Sequence, residues 1–216
     1  MTKKIVGRIF SDVSKVYDLF LNFITVGRIN VWQKDLLNLM GDNGNRLDVG
    51  TGTGEVLKKS KNEGLKVGID LALGMLKEAR KKCPGCYFLL ADAENMPFKD
   101  GSFKTITLSL AYRHLTDREA FLREARRVLK EKGRIGILDI NRIKGTPLLV
   151  FMMNYPIKPF GLLIFGREKW EFFVHSLKSS LSLEEVKMSI ERSGFKVEKL
   201  EKKFLGFFYI LKAKKL

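Results

Sequence analysis

Apolar positions near the start of the chain recur at helical spacing. Val13, Val16, Phe20 and Phe23 follow one another at intervals of three or four residues, which is the period of one helix face. A second helix is expected from about residue 29 to residue 40, because the turn-rich sequence GDNGN follows it. The pattern therefore predicts an N-terminal helical segment at residues 1–44.

From residue 46 onward, short apolar runs alternate with amphipathic stretches of helical length. Seven strands are predicted, at residues 46–49, 66–70, 87–91, 103–111, 134–140, 195–200 and 204–213. Capping boxes mark two of the helices, one with Thr116 and Glu119 and one with Ser182 and Glu185. This alternation is typical of an α/β fold with a doubly wound, mostly parallel sheet and helices on both faces. We expect a single domain over residues 1–216, with ligands beyond the carboxyl ends of the strands.

Composition narrows the class of protein. Apolar residues make up 45% and charged residues 30% of the 216 positions, as in an ordinary soluble globular domain. The first residues lack the apolar run and cleavage site of a signal peptide, and no run of 18 uncharged apolar residues is present. The expected location is therefore cytoplasmic.

The cysteines Cys83 and Cys86 form a CxxC sequence. Such a pair is a reversible disulfide in some proteins and half of a metal site in others. No second pair of Cys or His residues supports a metal, and two cysteines do not make a disulfide framework. We expect unbonded structural cysteines in a reducing intracellular setting, and no metal site.

The formal net charge is +16. Such an excess is found in proteins that bind nucleic acid, an anionic membrane surface or an acidic substrate, but a solvated lysine-rich surface explains it equally well. The single glutamine, together with many lysines and glutamates, is typical of a thermophilic source.

The sequence LDVGTGTGEV, residues 47–56, places a glycine-rich loop directly after the first predicted strand. A P-loop is excluded because Gly54 is followed by Glu55 and Val56 rather than by lysine and a hydroxyl residue. A dinucleotide fingerprint needs a small residue where Glu55 stands, and this carboxylate would repel a pyrophosphate at the helix N-terminus. An NAD-dependent oxidoreductase is therefore a less favoured alternative.

Acidic side chains stand at or just beyond the ends of the first three strands. Asp48 can hold an ammonium group, and Asp70, 22 residues later, can accept hydrogen bonds from both hydroxyls of a ribose. Asp92 follows the third strand and can accept a hydrogen bond from an exocyclic amine. An ammonium, a ribose and an adenine are the polar parts of S-adenosylmethionine. Three alternate glycines without a Cβ let the loop approach such a ligand closely: Gly50, Gly52 and Gly54.

Four stretches, in this order, resemble the class I S-adenosylmethionine-dependent methyltransferases: DVGTGTG, GIDLALGMLKEAR, ADAENMPFKDGSF and RVLKEKGRIGILD. Two more, FSDVSKVYD and LAYRHLTDRE, resemble the ubiquinone/menaquinone-biosynthesis C-methyltransferase family of the UbiE type. The resemblance implies a Rossmann-like sheet whose last strand is antiparallel, and S-adenosylmethionine as the cofactor. It also implies that Tyr17 closes over the donor. The cofactor-binding residues expected in this way are Tyr17, Asp48, Gly50, Thr51, Gly52, Gly54, Asp70, Leu71, Met75, Asp92, Ala93 and Leu110.

The Arg-Asn pair of the UbiE type, which precedes a TDRE-like helix start, is Arg113–His114 in this chain. His114 follows the fourth strand, beside the expected methyl group, and the pKa range of histidine suits a general base. Arg113 can stabilise a phenolate by charge-assisted hydrogen bonds. The alternatives are an ordinary helix-entry histidine and an exposed loop arginine. The resemblance implies a small acceptor that is apolar or aromatic and quinone-like.

The sequence PLLVFMMNYPIKPFGLLIFG, residues 147–166, is strongly apolar, and Pro156 and Pro159 prevent one continuous helix. It lies within residues 145–180, where we expect an insertion that forms a substrate lid. Its apolar residues can line a pocket for a hydrophobic acceptor, or dock on a membrane whose anionic lipids attract the positive charge. A helical pair that packs on its own core is the alternative.

Two other functions remain open from the sequence. Methylation of RNA or protein is consistent with the charge, but the residues after the fourth strand read SLAYRH, unlike the [DNS]-P-P-[YFW] segment of base amino-methylases. A non-catalytic module that binds polyanions or membranes could retain the same donor pocket.

Overall fold

One sheet of seven strands lies at the centre of the computed structural model, which describes residues 2–216. The strands are β1 Arg46–Val49, β2 Lys66–Asp70, β3 Tyr87–Leu90, β4 Phe103–Ser109, β5 Leu129–Ile140, β6 Phe195–Lys203 and β7 Phe208–Lys215. Their order across the sheet is β3-β2-β1-β4-β5-β7-β6. Strands β1 to β5 pair in parallel, and β7 runs antiparallel between β5 and β6. The predicted doubly wound sheet with a reversed last strand is confirmed.

Ten α-helices surround the sheet in the described part of the chain. They are α1 Lys3–Val13, α2 Tyr17–Ile24, α3 Arg28–Met40, α4 Glu55–Lys59, α5 Leu73–Lys82, α6 Arg118–Val128, α7 Thr146–Asn154, α8 Lys158–Phe165, α9 Arg167–Lys178 and α10 Leu183–Arg192. Short 3₁₀ turns lie at Tyr112–His114 and Phe204–Gly206. The N-terminal helical segment thus comprises α1 to α3, and residues 145–180 contain α7 to α9.

Both faces of the sheet are covered because neighbouring residues of one strand enter different cores. In β5, Ile137 packs in the same cluster as Phe121 of α6, whereas Leu138 packs with Leu36 of α3. Both β5 side chains are completely buried. A strand buried on both sides needs a nearly continuous apolar run rather than alternation, which is why β5 was recognisable from the sequence.

Two local predictions differ from the structure. Helix α6 begins after Asp117, whose carboxylate accepts a hydrogen bond from Ala120 N (2.9 Å), so the capping box predicted for Thr116 and Glu119 is wrong. The Glu94 carboxylate accepts hydrogen bonds from the backbone N–H groups of residues 116 and 117 and thereby fixes this entry. The second capping box, between Ser182 and Glu185, is confirmed.

The cysteines also differ from expectation. Cys83 and Cys86 form a disulfide bond directly after α5, where unbonded cysteines were expected. A tight turn brings them together, because Cys86 N donates a hydrogen bond to the Cys83 carbonyl (3.0 Å).

Strand β1 is the point at which the strand order reverses, since β2 lies on one side of it and β4 on the other. Helices leaving two such strands cross to opposite faces, and this opens a crevice beyond the carboxyl ends of the strands. The glycine-rich loop at residues 50–54 lies at this crevice.

Candidate functional site

A cavity opens beyond the carboxyl ends of β1, β2 and β4, with α1 and α2 over it. Twelve of the fourteen residues that the sequence assigned to a site line this cavity, and Gly54 and Arg113 do not. The twelve are Tyr17, Asp48, Gly50, Thr51, Gly52, Asp70, Leu71, Met75, Asp92, Ala93, Leu110 and His114. Twelve residues that are scattered along the sequence thus meet at one cavity, their binding roles stay a prediction, and the two exceptions have specific causes.

The first two glycines of the loop leave space for a ligand and for the strand ends. Gly52 has a φ of +54° and would direct a Cβ into open space, with no atom within 4 Å. Gly50 has a φ of +62°, and a Cβ there would lie 2.5 Å from the Ala111 Cβ. Both positions require glycine, since other residues rarely adopt this conformation. Gly52 is the one whose missing side chain faces the cavity.

Gly54 has a different role, in packing. It precedes α4 with a φ of +78°, and its Cβ would lie 3.0 Å from the Ala79 Cβ of α5. The absent side chain thus lets α4 approach α5 closely. The expected contact of Gly54 with the cofactor is replaced by a packing role behind the cavity wall.

Asp48 is a buried carboxylate that forms no ion pair, although the charge of the nearby Arg46 also acts on it. Its side chain accepts hydrogen bonds from Thr107 Oγ1 (2.6 Å) and Thr51 Oγ1 (2.7 Å), and the residue is 1% exposed. No lysine, arginine or histidine within residues 2–216 forms an ion pair with it. Burial raises the pKa of Asp48 to about 6. Such a group fits a ligand that carries an ammonium, because the cation would supply the missing counter-charge.

Asp70 is held by backbone N–H groups. Its Oδ2 accepts a hydrogen bond from Gly52 N and its Oδ1 one from Ala72 N, both at 2.8 Å. Burial raises the pKa of this carboxyl group. Each carboxylate oxygen can accept more than one hydrogen bond, so two hydroxyl groups of a ribose can still be received.

Asp92 is tied to the first helix. Lys3 Nζ lies 2.6 Å from Asp92 Oδ2 and 2.5 Å from Glu94 Oε2. These two hydrogen bonds raise the pKa of Lys3. The sequence did not identify Lys3 or Glu94, since a lysine at the start of a lysine-rich chain carries no distinguishing signal.

A second ionic cluster fastens α2 to the glycine loop. Asp18 accepts a hydrogen bond from Thr53 Oγ1 (2.7 Å) and forms an ion pair with Lys82 of α5. Lys82 also lies 2.8 Å from Glu55 Oε1. Burial alone would raise the pKa of Glu55, but hydrogen bonds from Lys59 and Lys82 outweigh it and hold this pKa at about 2. Asp18 and Lys82 are 64 residues apart, so no local motif reveals the cluster.

Tyr17 lines the cavity from the start of α2. Burial raises the pKa of its hydroxyl group to about 12, so the phenol stays neutral at physiological pH. Its ring meets Phe10 edge to face, with ring centroids 5.7 Å apart. Phe10, also on the wall, was missed because its spacing is that of an ordinary core residue of α1.

His114 lies between two aromatic rings on the wall. Its imidazole stacks on Phe172 of α9, with centroids 5.4 Å apart and an interplanar angle of 14°, and meets Phe10 edge to face at 5.1 Å. Its Nε2 atom is buried and has no hydrogen-bond partner within residues 2–216. Burial, together with Arg113 and Arg118, holds the pKa of His114 well below 6.5. The ring is therefore a neutral imidazole in an apolar setting.

Arg113 does not reach the cavity. Its Nη1 atom lies 2.6 Å from Asp139 Oδ1 and donates a second hydrogen bond to the Leu110 carbonyl (2.8 Å). Its side chain is 7% exposed. Leu110 has a φ of +59°, a conformation that leucine rarely adopts, so Arg113 holds a strained turn of the wall in place. The expected contact of Arg113 with a phenolate is replaced by this positioning role.

An aromatic cluster separates the cavity from α8. Phe173 of α9 stacks on Phe20 of α2 (5.6 Å), and Phe20 meets Phe165 of α8 edge to face (4.6 Å). Phe10 contacts the same cluster, with its ring 6.1 Å from Phe173. Helix α9 thus packs against Phe10 of the cavity wall, while α8 lies on the outer side of the cluster, and a lid formed by residues 145–180 stays a prediction.

Known proteins resemble the whole chain. The model of the ubiE/COQ5 methyltransferase family matches residues 1–215. The demethylmenaquinone methyltransferase of Thermotoga maritima is 32% identical over 206 residues, which cover 91% of this chain and 90% of that protein. The ubiquinone/menaquinone biosynthesis C-methyltransferase UbiE of Rickettsia prowazekii is 31% identical over 214 residues, 90% of this chain and 86% of that protein.

A solved structure supports the fold. A methyltransferase dependent on S-adenosylmethionine from Thermotoga maritima, described as a possible histamine N-methyltransferase, superposes with a TM-score of 0.68 at 20% identity. The match covers 97% of this chain and 99% of that one.

Proposed function

Because the chain belongs to the ubiE/COQ5 methyltransferase family and is therefore an S-adenosylmethionine-dependent methyltransferase, we propose that it methylates a ring carbon of a small quinone-type acceptor. The enzyme class and the cofactor expected from the sequence are confirmed by that membership. The names of the relatives, which refer to demethylmenaquinone, ubiquinone and menaquinone, support an apolar aromatic acceptor. The observation that carries the proposal is His114, a neutral imidazole between phenylalanine rings on the cavity wall.

The acidic residues of the cavity fit the donor. Asp48 would hold the ammonium group, since this buried carboxylate forms no ion pair within the protein, and Asp70 would receive the ribose hydroxyls. Asp92 would accept a hydrogen bond from the adenine amine while it keeps its contact with Lys3. When bound, S-adenosylmethionine supplies a methyl group that its positively charged sulfur has already activated. The protein therefore has to align the acceptor and exclude water more than to generate reactivity.

His114 would act on the reduced, hydroquinone form of the acceptor. Its Nε2 atom has no hydrogen-bond partner and, in the tautomer that carries its hydrogen on Nδ1, would accept the proton of the ring hydroxyl group. Removal of this proton would raise the electron density of the neighbouring ring carbon. That carbon would take up the methyl group as the bond between methyl and sulfur breaks, and would then lose its own hydrogen as a proton, so that the products are the methylated hydroquinone, S-adenosylhomocysteine and one proton. A neutral imidazole suits this step, because an imidazolium could not accept the proton.

The aromatic rings around His114 would bind the acceptor ring and keep water out. Since Nε2 is buried, acceptor entry requires a displacement of Phe10 or Phe172 from the imidazole. Both residues belong to helices that cover the cavity, α1 and α9, rather than to the sheet. The displacement that acceptor entry requires would therefore fall on the covering helices and not on the strand ends.

Transfer of a tritiated methyl group tests the proposal. The purified protein is incubated with labelled S-adenosylmethionine and, separately, with a demethylated hydroquinone, with RNA and with a protein extract. Label is expected in the hydroquinone, bound to carbon and therefore stable to acid and base hydrolysis. Label in RNA or protein with none in the hydroquinone would contradict the proposal, and no label in any acceptor would favour a non-catalytic binding module.

A further inference from the structure

Helices α7 and α8 expose apolar side chains at helical spacing. Leu148, Phe151 and Met152 of α7 form one stripe with Tyr155, the residue that follows the helix, and the four side chains are between 43% and 65% exposed. On α8, Phe160, Leu163 and Ile164 are between 58% and 86% exposed. In a soluble helix such a stripe faces the core, so two stripes that face outward indicate a surface with an apolar partner.

Two neighbouring elements extend the same surface. Leu19, Phe23 and Val26 in and after α2 are between 75% and 78% exposed, and Leu205 in the second 3₁₀ turn is 92% exposed. Helix α2 adjoins α8 through Phe20 and Phe165, and the 3₁₀ turn is fastened near α7 by Asn141, whose side chain donates to the Gly206 carbonyl (2.8 Å). We call the exposed apolar side chains of α2, α7, α8 and residues 204–206, with Val26, the apolar face.

The charges of these segments have one sign. Residues 19–34, 144–166 and 202–208 contain no aspartate or glutamate, although the whole chain has 24. Their exposed basic residues are Arg28, Lys34, Lys144, Lys158 and Lys202. Basic side chains that border an apolar surface are complementary to anionic lipid headgroups over hydrocarbon.

We infer that the apolar face docks on the surface of an anionic lipid bilayer. The inference rests on the proposed function, because a lipid-soluble quinone would then be drawn from the bilayer beside the cavity. Tyr17 and Asp18 on the cavity wall belong to α2, the same helix that carries Leu19 and Phe23 of the apolar face. The apolar face and the cavity therefore share helix α2.

The two helices lie in the interface rather than across the bilayer. No single helix between residues 2 and 216 is long and apolar enough to span a membrane, whereas α7 and α8 pass that test only as a pair bent by 66°. Even end to end, their 9 and 8 residues would reach about 26 Å, and a hydrocarbon core is about 30 Å thick. Both helices return to the domain, so shallow insertion of the stripes is the geometry that fits.

A second copy of this chain fits the apolar face less well. Each copy carries a net charge of +16, and exposed basic residues border the face on both partners of a symmetric dimer. Repulsion between like charges opposes that dimer, whereas the same charges favour an anionic bilayer.

Vesicle binding tests the inference. The full-length protein is sedimented with phosphatidylcholine vesicles that contain about a third phosphatidylglycerol, and with vesicles of phosphatidylcholine alone. Binding is expected only with phosphatidylglycerol and should weaken between about 0.1 M and about 0.5 M NaCl. The double variant Phe160→Asp/Leu163→Asp should reduce partitioning at least about tenfold, because two side chains that enter the bilayer become charged.

A matched control separates the apolar face from exposed apolar residues in general. Leu90→Asp/Met188→Asp changes side chains that are 59% and 47% exposed on β3 and α10, and its partitioning should equal that of the wild type. If the α8 variant unfolds, Lys144→Glu/Lys158→Glu should still reduce binding to anionic vesicles. Absence of wild-type binding, or equal loss in the control, would overturn the inference, as would a dimer in solution that the α8 variant converts to monomer.

Turnover of a water-soluble hydroquinone without a long tail tests the proposed function separately from membrane docking. The α8 variant should retain turnover on that acceptor while it loses turnover on a long-tailed acceptor in vesicles. If no hydroquinone is methylated, the proposed function fails, but binding of the apolar face to anionic vesicles still stands or falls on the sedimentation result.

Discussion

Lys3 Nζ lies 2.6 Å from Asp92 Oδ2 and ties the first helix to the loop that follows β3. The same side chain reaches Glu94, and the next turns of α1 place Val6, Gly7 and Phe10 on the cavity wall. Helix α1 therefore covers the cavity and is fastened at the end where adenine is expected.

Replacement of Lys3 by alanine should speed the release of S-adenosylhomocysteine, the product formed from the methyl donor. The ion pair is partly exposed, with side chains 36% and 29% accessible, so its loss is expected to cost at most about 1 kcal/mol, or about fivefold in rate. Stopped-flow release of S-adenosylhomocysteine measures this, and about 0.5 M NaCl should bring the wild type closer to the variant. Lys4→Ala, which changes an exposed neighbour, is the control. Slower release in Lys3→Ala would mean that Lys3 competes with the ligand for Asp92.

Replacement of Gly52 by alanine should weaken donor binding more than about tenfold, since the new Cβ would project into the cavity. Gly101→Ala is a matched control, because Gly101 has a similar φ of +62°, also with no atom within 4 Å of a Cβ, but precedes β4 at its amino end, whereas the cavity lies at the carboxyl ends of the strands. Both variants should lose about 1–2 kcal/mol of unfolding free energy from the left-handed backbone. Calorimetric titration with S-adenosylmethionine should show weak binding for Gly52→Ala alone. Equal affinities would place the donor away from this loop.

The strand ends were predictable because topology places them at one crevice. Asp48 and Asp70 follow from a simple rule, since parallel strands at a switch point direct their carboxyl ends to the same side of the sheet. Gly54 shows the limit of the motif, because a glycine can serve the ligand or the packing of α4 on Ala79, and the spacing alone does not separate the two.

Contacts between distant segments were not predictable. Arg113 precedes His114 in a 3₁₀ turn, where successive side chains diverge by about 120°, so both cannot face the cavity. Which one turns away is decided by Asp139, 26 residues further along. The stripes of α7 and α8 had the spacing of core residues, and only the fold shows that they face outward.

Replacement of His114 by glutamine should lower turnover about 100-fold to 10,000-fold and leave donor affinity unchanged. His175→Gln, which changes the other histidine of the sequence at an exposed site, should leave both unchanged. Initial rates with the hydroquinone and calorimetry with S-adenosylmethionine separate the two effects. Full turnover in His114→Gln would remove His114 from the reaction.

The same residue should give the protein a pH-dependent stability. Since the pKa of His114 is held below 6.5 in the folded state, the unfolded state binds more protons below pH 6.5. The free energy of unfolding should therefore fall with decreasing pH in that range, by up to about 1.4 kcal/mol per pH unit from this group. Urea titrations at about pH 7.5 and about pH 5.5 should show a smaller decrease in His114→Gln than in the wild type. Equal decreases would show that the imidazole is protonated as easily in the folded state as in the unfolded one.

Donor affinity should fall as the pH drops through about 6. Burial raises the pKa of Asp48 to about 6 in the free protein, and an ammonium beside it favours the ionised form. The bound state therefore holds fewer protons, so affinity is full above about pH 6 and declines by up to tenfold per pH unit below it. Titration with S-adenosylhomocysteine between about pH 5 and about pH 8 measures this, and Asp48→Asn should bind weakly at every pH.

A second ligand separates the contribution of Asp48 to this pH dependence from that of Asp70. The separation is needed because burial also raises the pKa of Asp70. Methylthioadenosine keeps the ribose and the adenine of the donor but has no ammonium group. Its affinity should therefore lack the Asp48 contribution and change less with pH than that of S-adenosylhomocysteine. If both ligands show the same pH dependence, the ammonium does not lie at Asp48, because only a neighbouring cation makes the two titrations differ.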